Sequence, residues 1–142
     1  MTSVFLATAG MDSTLRGAIS IVGKIAATPD GRSSAPMTSA DAPLFSVVIP
    51  TCHRNDALAA CLERLAPGKQ SLAAASYEVI VTDDGSRATS EAMLREKFPW
   101  AKWMAGPRRG PAANRNHGAK HANGNWIAFA DDDCLQIGRA HV

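Results

Sequence analysis

The 142-residue sequence has little of several features that would define a protein class at once. Its three cysteines, Cys52, Cys61 and Cys134, are odd in number and lack metal-ligand spacing. This argues against a disulfide framework or a zinc module and favours reduced thiols. The formal net charge is only +2, which gives no reason to expect a nucleic-acid partner or a membrane-surface partner.

The sequence also lacks an apolar run long enough to span a membrane, and it lacks the charged-then-apolar order of a secretory signal. A cytoplasmic location is therefore the expectation. A full-length parent protein that associates with a membrane stays open, because the chain looks like part of something longer.

Composition divides the chain at about residue 43. Residues 1–43 are rich in Ala, Ser, Thr and Gly, and scattered prolines interrupt them, so we predict a flexible leader or linker. Within it, Leu15 to Ile25 could form a short, weak helix. The remaining residues suffice for one modest domain with a hydrophobic core.

Apolar strands alternate with helices beyond residue 43. The predicted strands are 45–49, 78–82, 102–105 and 126–130; the predicted helices run from a cap at Asn55 or Asp56 to Leu65, from Ser90 to Phe98, and from Pro111 to Asn123. This order is typical of a parallel sheet with right-handed crossovers. The expected fold class is α/β, with a Rossmann-like parallel sheet of order βαβαβαβ.

Polar motifs follow each of the four predicted strands. Ligands of such sheets bind outside the carboxyl ends of the strands, so these motifs are expected to form one pocket. The motifs are Pro50-Thr51-Cys52-His53-Arg54, Asp83-Asp84-Gly85-Ser86, Gly106-Pro107-Arg108-Arg109-Gly110 and Asp131-Asp132-Asp133.

The acidic run after the last strand is the most informative of these motifs. In an extended chain, Asp131 and Asp133 would share one face, and Asp132 would point to the other. Two convergent carboxylates suit a hard divalent cation, which usually accompanies a phosphate-bearing substrate.

The motif after the second strand has two interpretations. Asp84 could accept hydrogen bonds from a nucleobase, with Thr51 supplying a neighbouring one. In the structural alternative, Thr51 only ends its strand, Asp83 and Gly85 form a turn, and Ser86 caps the next helix.

Basic residues surround the start of the third helix. Arg108, Arg109 or Arg115 could contact a diphosphate near the helix N-terminus. For Arg108 and Arg109 a solvated basic loop is the favoured interpretation, whereas Arg115 lies within the helix among small residues and is expected to have a defined polar role. His117 and His121 lie four residues apart but have no further ligand nearby, so we interpret them as surface histidines.

Four motifs in this order resemble the nucleotide-diphospho-sugar glycosyltransferases of the GT-A fold, specifically family 2. The resemblance covers about Phe45 to Leu135. The motifs that carry it are Val47-Val48-Ile49-Pro50-Thr51, Val79-Ile80-Val81-Thr82-Asp83-Asp84-Gly85-Ser86, Gly110-Pro111-Ala112-Ala113-Asn114-Arg115-Asn116-His117-Gly118 and Trp126-Ile127-Ala128-Phe129-Ala130-Asp131-Asp132-Asp133.

The resemblance implies a transferase that moves a sugar from a nucleotide-diphospho-sugar, with a UDP-sugar the expected donor, to an unknown saccharide, lipid or protein acceptor. It implies that Thr51 and Asp84 bind the nucleobase and that Arg115 lies near the nucleotide. Asp131 and Asp133 match the ends of the Asp-x-Asp motif, with Asp133 the expected direct ligand of Mn²⁺ or Mg²⁺ and Asp131 the second metal candidate. Asp131 or Asp132 would lie nearer the ribose.

The resemblance also implies that the acceptor-binding half and the catalytic base follow the Asp-x-Asp motif. We therefore expect residues 44–136 to be a C-terminally truncated donor-binding half without turnover of its own. Residues 137–142 match the translation of ATC GGA AGA GCA CAC GTC, a sequencing adapter, and are predicted to be a non-native tail.

Two other hypotheses stay open from the sequence. A Mg²⁺-binding phosphoacceptor module of the doubly wound type also gathers acids at strand ends, but it expects an acidic pair after the first strand, where Thr51 and Cys52 stand, and a lysine that is missing here. A nonfunctional fragment would expose an unpaired sheet edge and aggregate.

Overall fold

The computed structural model describes residues 19–24, 42–70, 72–87 and 89–133. The strands are β1 (Ile19–Lys24), β2 (Phe45–Thr51), β3 (Tyr77–Asp83), β4 (Lys102–Ala105) and β5 (Trp126–Ala130). The helices are α1 (Asn55–Leu65), α2 (Glu91–Lys97) and α3 (Pro111–Lys120), with a 3₁₀ turn at Ala74–Ser76. Cys134 and the predicted tail at 137–142 lie outside the described residues.

The strands form one sheet in the order β1-β5-β2-β3-β4. Strands β5, β2, β3 and β4 run parallel, which confirms the predicted α/β fold class. In the register of this sheet, Thr51 lies opposite Asp83, and Asp83 lies opposite Ala105. The polar residues that follow these strands therefore start from one edge of the sheet.

The predicted helix within Leu15 to Ile25 is wrong where the structure describes the chain. Ile19–Lys24 form β1, which pairs antiparallel with β5. Ile19, Ile21 and Val22 are β-branched and suit an extended chain, and β5 offers an edge for pairing. That partner lies about a hundred residues away in sequence, so a local pattern does not reveal it. The boundary at residue 43 stays a prediction.

The helix termini differ from the predicted caps. The N-cap of α1 is Arg54, which makes no side-chain capping hydrogen bond, so capping by Asn55 or Asp56 is wrong. The N-cap of α2 is Ser90 and not Ser86. Helix α3 ends at Lys120, before the predicted end at Asn123.

Helices pack on both faces of the sheet. On one face, apolar side chains of α1 and α2 form the main core with alternate residues of β2 and β3, including Leu58, Leu62, Leu94, Val47, Ile49, Val79 and Val81. On the other face, α3 lies close to the strands because Gly118 has no side chain: an added Cβ would overlap Val48 and Thr82. This close packing sets the position of the cleft described below. None of the helices within the described ranges is long and apolar enough to cross a membrane.

Candidate functional site

A cleft of about 790 Å³ opens where β2, β3 and β5 end. It brings together residues from all four predicted motifs, including Thr51, Asp84, Arg115 and Asp133. The other lining residues are Pro50, Cys52, His53, Arg54, Ser86, Arg108, Gly110, Pro111, Asn114, Asp131 and Asp132. The predicted binding roles of these residues stay predictions.

Asp132 is the buried member of the acidic run, with 5% of its surface exposed. The Thr51 hydroxyl donates a hydrogen bond of 2.8 Å to its Oδ2, and Nη1 of Arg54 lies 3.2 Å from its Oδ1. Burial raises the pKa of Asp132, and the neighbouring Asp133 and Asp131 act in the same direction. The Thr51 hydrogen bond and the Arg54 charge oppose this rise without cancelling it.

Asp131 and Asp133 are half exposed and face different cations. Nη2 of Arg115 donates to Oδ1 of Asp131, and Nη2 of Arg54 lies 3.1 Å from Oδ2 of Asp133. Burial alternates along the run as expected, with Asp132 buried between two exposed neighbours, but β5 ends at Ala130 and the chain turns through Asp132 and Asp133 instead of staying extended. Asp132 and Asp133 consequently share Arg54, while Asp131 lies towards α3.

Asp84 holds the loop between β4 and α3. Its Oδ1 accepts a hydrogen bond of 2.8 Å from the backbone N–H of Arg108, and its Oδ2 accepts one of 3.2 Å from Gly110. Both donors have positive φ, 56° and 91°. An added Cβ at Gly106 would overlap the Asp84 carboxylate, so this loop and this side chain fit tightly together.

Asp83 fits the structural interpretation of its motif. Its carboxylate is buried and accepts hydrogen bonds from the Gly85 backbone (2.7 Å) and from the backbone and hydroxyl of Ser90 (2.6 Å each). Asp83 thereby fixes the start of α2. Ser86 instead lies at the cleft, and its N–H donates to Nε2 of His53 at 3.4 Å.

Asn114 is a site residue for which sequence reasoning assigned no role. It is buried on α3, and its Nδ2 donates to the carbonyl oxygens of Thr82 (2.8 Å) and Thr51 (3.3 Å). The Thr82 hydroxyl donates to Oδ1 of Asn114. The sequence did contain a signal for the position of Asn114. Asn114 and Gly118 are four residues apart, so they lie on the same face of the helix, and this face packs against the sheet.

The remaining basic residues divide between the cleft and the surface. Arg108 and Arg115 line the cleft, whereas Arg109 is exposed and does not. His117 and His121 also lie away from the cleft lining, with Nδ1 of His121 2.9 Å from the His117 carbonyl oxygen. Cys61 is buried in the core, and its Sγ lies 3.8 Å from the Asp131 carbonyl oxygen.

The acidic run has the donor chemistry of a divalent-cation site. Within 42–70, 72–87 and 89–133, no three His, Cys, Asp or Glu side chains are grouped so as to hold a metal by themselves. Mg²⁺ and similar cations commonly take one or two protein carboxylates and complete their shell with water and substrate phosphates. The half-exposed carboxylates of Asp131 and Asp133 at the cleft fit that requirement.

The parallel α/β sheet carries its polar cleft outside the carboxyl ends of the strands, where open sheets of this class bind ligands. The sequence model of Glycosyl transferase family 2 matches residues 46–136, and the chain belongs to this family. This membership confirms the resemblance seen in the sequence, and it favours a transferase over a phosphoacceptor module.

Sequence relatives of the chain include two glycosyltransferases. Validoxylamine A glucosyltransferase of Streptomyces hygroscopicus subsp. limoneus is 38% identical over 116 residues, which are 75% of this chain and 24% of the relative. An uncharacterized glycosyltransferase of Haemophilus influenzae is 31% identical over 90 residues, covering 63% of this chain and 29% of the relative.

Two solved structures share the fold. S. aureus TarS 1-349 in complex with UDP-GlcNAc superposes with a TM-score of 0.54 at 30% identity, over 63% of this chain and 26% of that one. The mannosyltransferase PcManGT from Pyrobaculum calidifontis, in complex with GDP-Man and Mn²⁺, superposes with a TM-score of 0.57 at 26% identity, over 69% of this chain and 30% of that one. The chain thus spans between 24% and 30% of the length of these four relatives.

Proposed function

We propose that this chain forms the donor-binding part of a glycosyltransferase that takes a sugar from a nucleotide-diphospho-sugar, with a UDP-sugar as donor, and passes it to an acceptor hydroxyl. The observation that carries the proposal is the single cleft shared by Thr51, Asp84, Arg115 and the acidic run. Solved relatives bind UDP-GlcNAc and GDP-Man, which supports a nucleotide-sugar ligand for this cleft.

The nucleobase is proposed to bind beside Asp84 and Thr51. The Asp84 carboxylate is held by two loop N–H groups, so it is oriented before a ligand arrives. The Thr51 hydroxyl proton is committed to Asp132, so that oxygen would serve a base as an acceptor only. Asp131 or Asp132 would contact the ribose.

The diphosphate is proposed to lie near Arg115 and Arg108, whose guanidinium groups suit phosphate oxygens. Asp133 and Asp131 would hold a Mn²⁺ or Mg²⁺ ion beside it, and the Mn²⁺ of the PcManGT complex supports such a cofactor. A cation there supplies positive charge that stabilises the diphosphate leaving group.

We expect the isolated chain to bind donor without transferring sugar. Transfer with an acceptor hydroxyl requires a base within hydrogen-bond reach of that hydroxyl. In the family resemblance, this base follows the acidic run, in the portion of the relatives that this chain does not cover. The acceptor, whether saccharide, lipid or protein, would contact that same portion.

Isothermal titration of the purified chain with UDP, in Mn²⁺ and in EDTA, tests the proposal. We expect binding that is stronger with Mn²⁺, and loss of the Mn²⁺-dependent increment in Asp133→Ala. Asp56→Ala, an exposed acid on α1, is the matched control and should behave as the parent. GDP measured in parallel tests the base, and tighter binding of GDP than of UDP would contradict the UDP assignment.

A further inference from the structure

Arg54 bridges two neighbouring carboxylates of the acidic run. Its Nη1 lies 3.2 Å from Oδ1 of Asp132, and its Nη2 lies 3.1 Å from Oδ2 of Asp133. The guanidinium fork is suited to such double contact. The Arg54 backbone is fixed as the N-cap of α1, where its carbonyl oxygen accepts the Leu58 N–H at 3.0 Å. The N-cap residue of α1 therefore places its guanidinium group beside carboxylates of the turn that follows β5.

The two bridged carboxylates differ in freedom. Asp132 is buried and held by the Thr51 hydroxyl, so it is the fixed partner. The side chains of Arg54 and Asp133 are 51% and 54% exposed, so this half of the bridge stands in water. Exposed ion pairs are weak and easily exchanged, because water screens both charges.

A divalent cation that binds Oδ2 of Asp133 would take the oxygen that Arg54 contacts. Cations of this kind sit about 2.0–2.6 Å from carboxylate oxygens, inside the distance at which the guanidinium nitrogen now lies. Two positive groups cannot share one face of the Asp133 carboxylate at that separation without strong repulsion. A cation bound through Oδ2 of Asp133 would therefore compete with Arg54 for that oxygen.

We propose that Arg54 is a built-in counter-cation, which neutralises the acidic run before metal binds and is displaced from Asp133 when a divalent cation enters. Arg54 thereby sets the affinity of the site for its cation. This inference rests on the proposed function, in which Asp133 is the direct metal ligand.

The test is a titration of the full 142-residue chain with Mn²⁺ alone, without nucleotide. Binding is measured by calorimetry and by the electron paramagnetic resonance signal of free Mn²⁺. Arg54→Gln removes the competing charge, and we expect it to bind Mn²⁺ roughly three- to tenfold more tightly than the parent. Arg109→Gln removes an equal charge from a nearby exposed position outside the cleft lining, and it should leave the Mn²⁺ dissociation constant within about twofold of the parent value.

Melting temperature supplies a second readout that does not depend on activity. Without metal, Arg54→Gln should melt below the parent, because the acidic run has lost a counter-charge. Saturating Mn²⁺ should narrow or remove that difference, since the ion then neutralises the run in both proteins. Asp133→Ala should bind Mn²⁺ weakly whether or not Arg54 is present.

The possible results separate this inference from the proposed function. If the parent binds Mn²⁺ through Asp133 and Arg54→Gln binds it no more tightly, the counter-cation role is wrong and the donor-binding proposal stands. If neither protein shows Asp133-dependent binding of Mn²⁺, the metal assignment and the role of Arg54 are both overturned.

Discussion

Thr51 Oγ1 donates a hydrogen bond of 2.8 Å to Oδ2 of Asp132, 81 positions further along the chain. The bond joins the end of β2 to the turn that follows β5. Because Asp132 is almost fully buried, its carboxylate depends on this hydroxyl and on Arg54 for stabilisation. Thr51 and Asp132 therefore stabilise the tertiary structure and also belong to the candidate site.

Replacing Thr51 with Val tests the energetic value of this contact. Val has nearly the same shape but no donor, so the Asp132 carboxylate loses a buried hydrogen bond. We expect the free energy of unfolding to fall by about 1–3 kcal/mol in urea titrations at neutral pH. Thr51→Ser keeps the hydroxyl and should retain most of the stability; equal losses in both variants would contradict this account.

Asp132 should make stability depend on pH with an unusual sign. Burial raises its pKa above the usual 3.8, so the folded chain holds the proton more tightly than the unfolded chain. Its contribution to stability is present below pH 3.8 and is lost as the pH rises through the raised pKa of the folded state.

Asp132→Asn carries no titrating proton and removes this dependence. We therefore expect the stability of the variant relative to the parent to improve as the pH rises from 3.8 through the raised pKa of the folded state. Urea unfolding of both proteins across that range measures the difference. A difference that stays constant with pH would show that Asp132 does not titrate in this way.

Glu78 should have the opposite effect at the other end of the sheet. Burial tends to raise its pKa, but hydrogen bonds from Lys102 (2.6 Å), Ser46 (2.5 Å) and the Asn123 backbone (2.6 Å) outweigh burial and lower it. Its contribution to stability is present above the usual pKa of 4.5 and is lost as the pH falls through the lowered value.

Glu78→Gln should therefore lose roughly 1–3 kcal/mol at neutral pH and much less in acid. The same urea series measures it, and Glu63→Gln, an exposed acid on α1, serves as the control. A loss that is as large in acid as at neutral pH would indicate a packing effect and not the ionised carboxylate.

Asn114→Ala tests the connection of α3 to the sheet. It removes the hydrogen bonds to Thr82 and Thr51 and leaves a small cavity, so we expect a loss of about 2–4 kcal/mol in the free energy of unfolding. Asn116→Ala, exposed on the same helix, should stay within about 0.5 kcal/mol of the parent. Weaker UDP binding by Asn114→Ala, measured below its melting transition, is also expected because Arg115 follows it directly.

Much of the fold could be predicted because its signals are local. Strands β4 and β5 have the predicted bounds: β4 ends before Gly106-Pro107, and β5 is an apolar run that begins after Gly124-Asn125. Their order along the chain then gives the parallel sheet by the rule of right-handed crossovers. Strand β1 was missed because its pairing with β5 spans most of the sequence and has no local counterpart.

The candidate site could be located from the sequence but not described in detail. The rule that ligands bind outside the carboxyl ends of parallel strands predicted that Thr51, Asp84 and the acidic run lie close together. The rule could not show that Asp132 is buried, because that depends on a turn after Ala130 and on partners from β2 and α1. It also could not show that Asp84 supports a loop, since loop conformations with positive φ are set by tertiary contacts.

The buried position of Asn114 bears on how this cleft can change over evolutionary time. Asn114, Thr51 and Asp132 line the cleft and also connect helix α3 and the strands to one another, so most replacements of these residues should reduce the yield of folded protein. Cys52, His53 and Ser86 line the same cleft but are exposed, and the 3.4 Å hydrogen bond from the Ser86 N–H to His53 is exposed as well. Changes in ligand preference should therefore accumulate among these exposed residues, while the buried residues of the cleft change slowly.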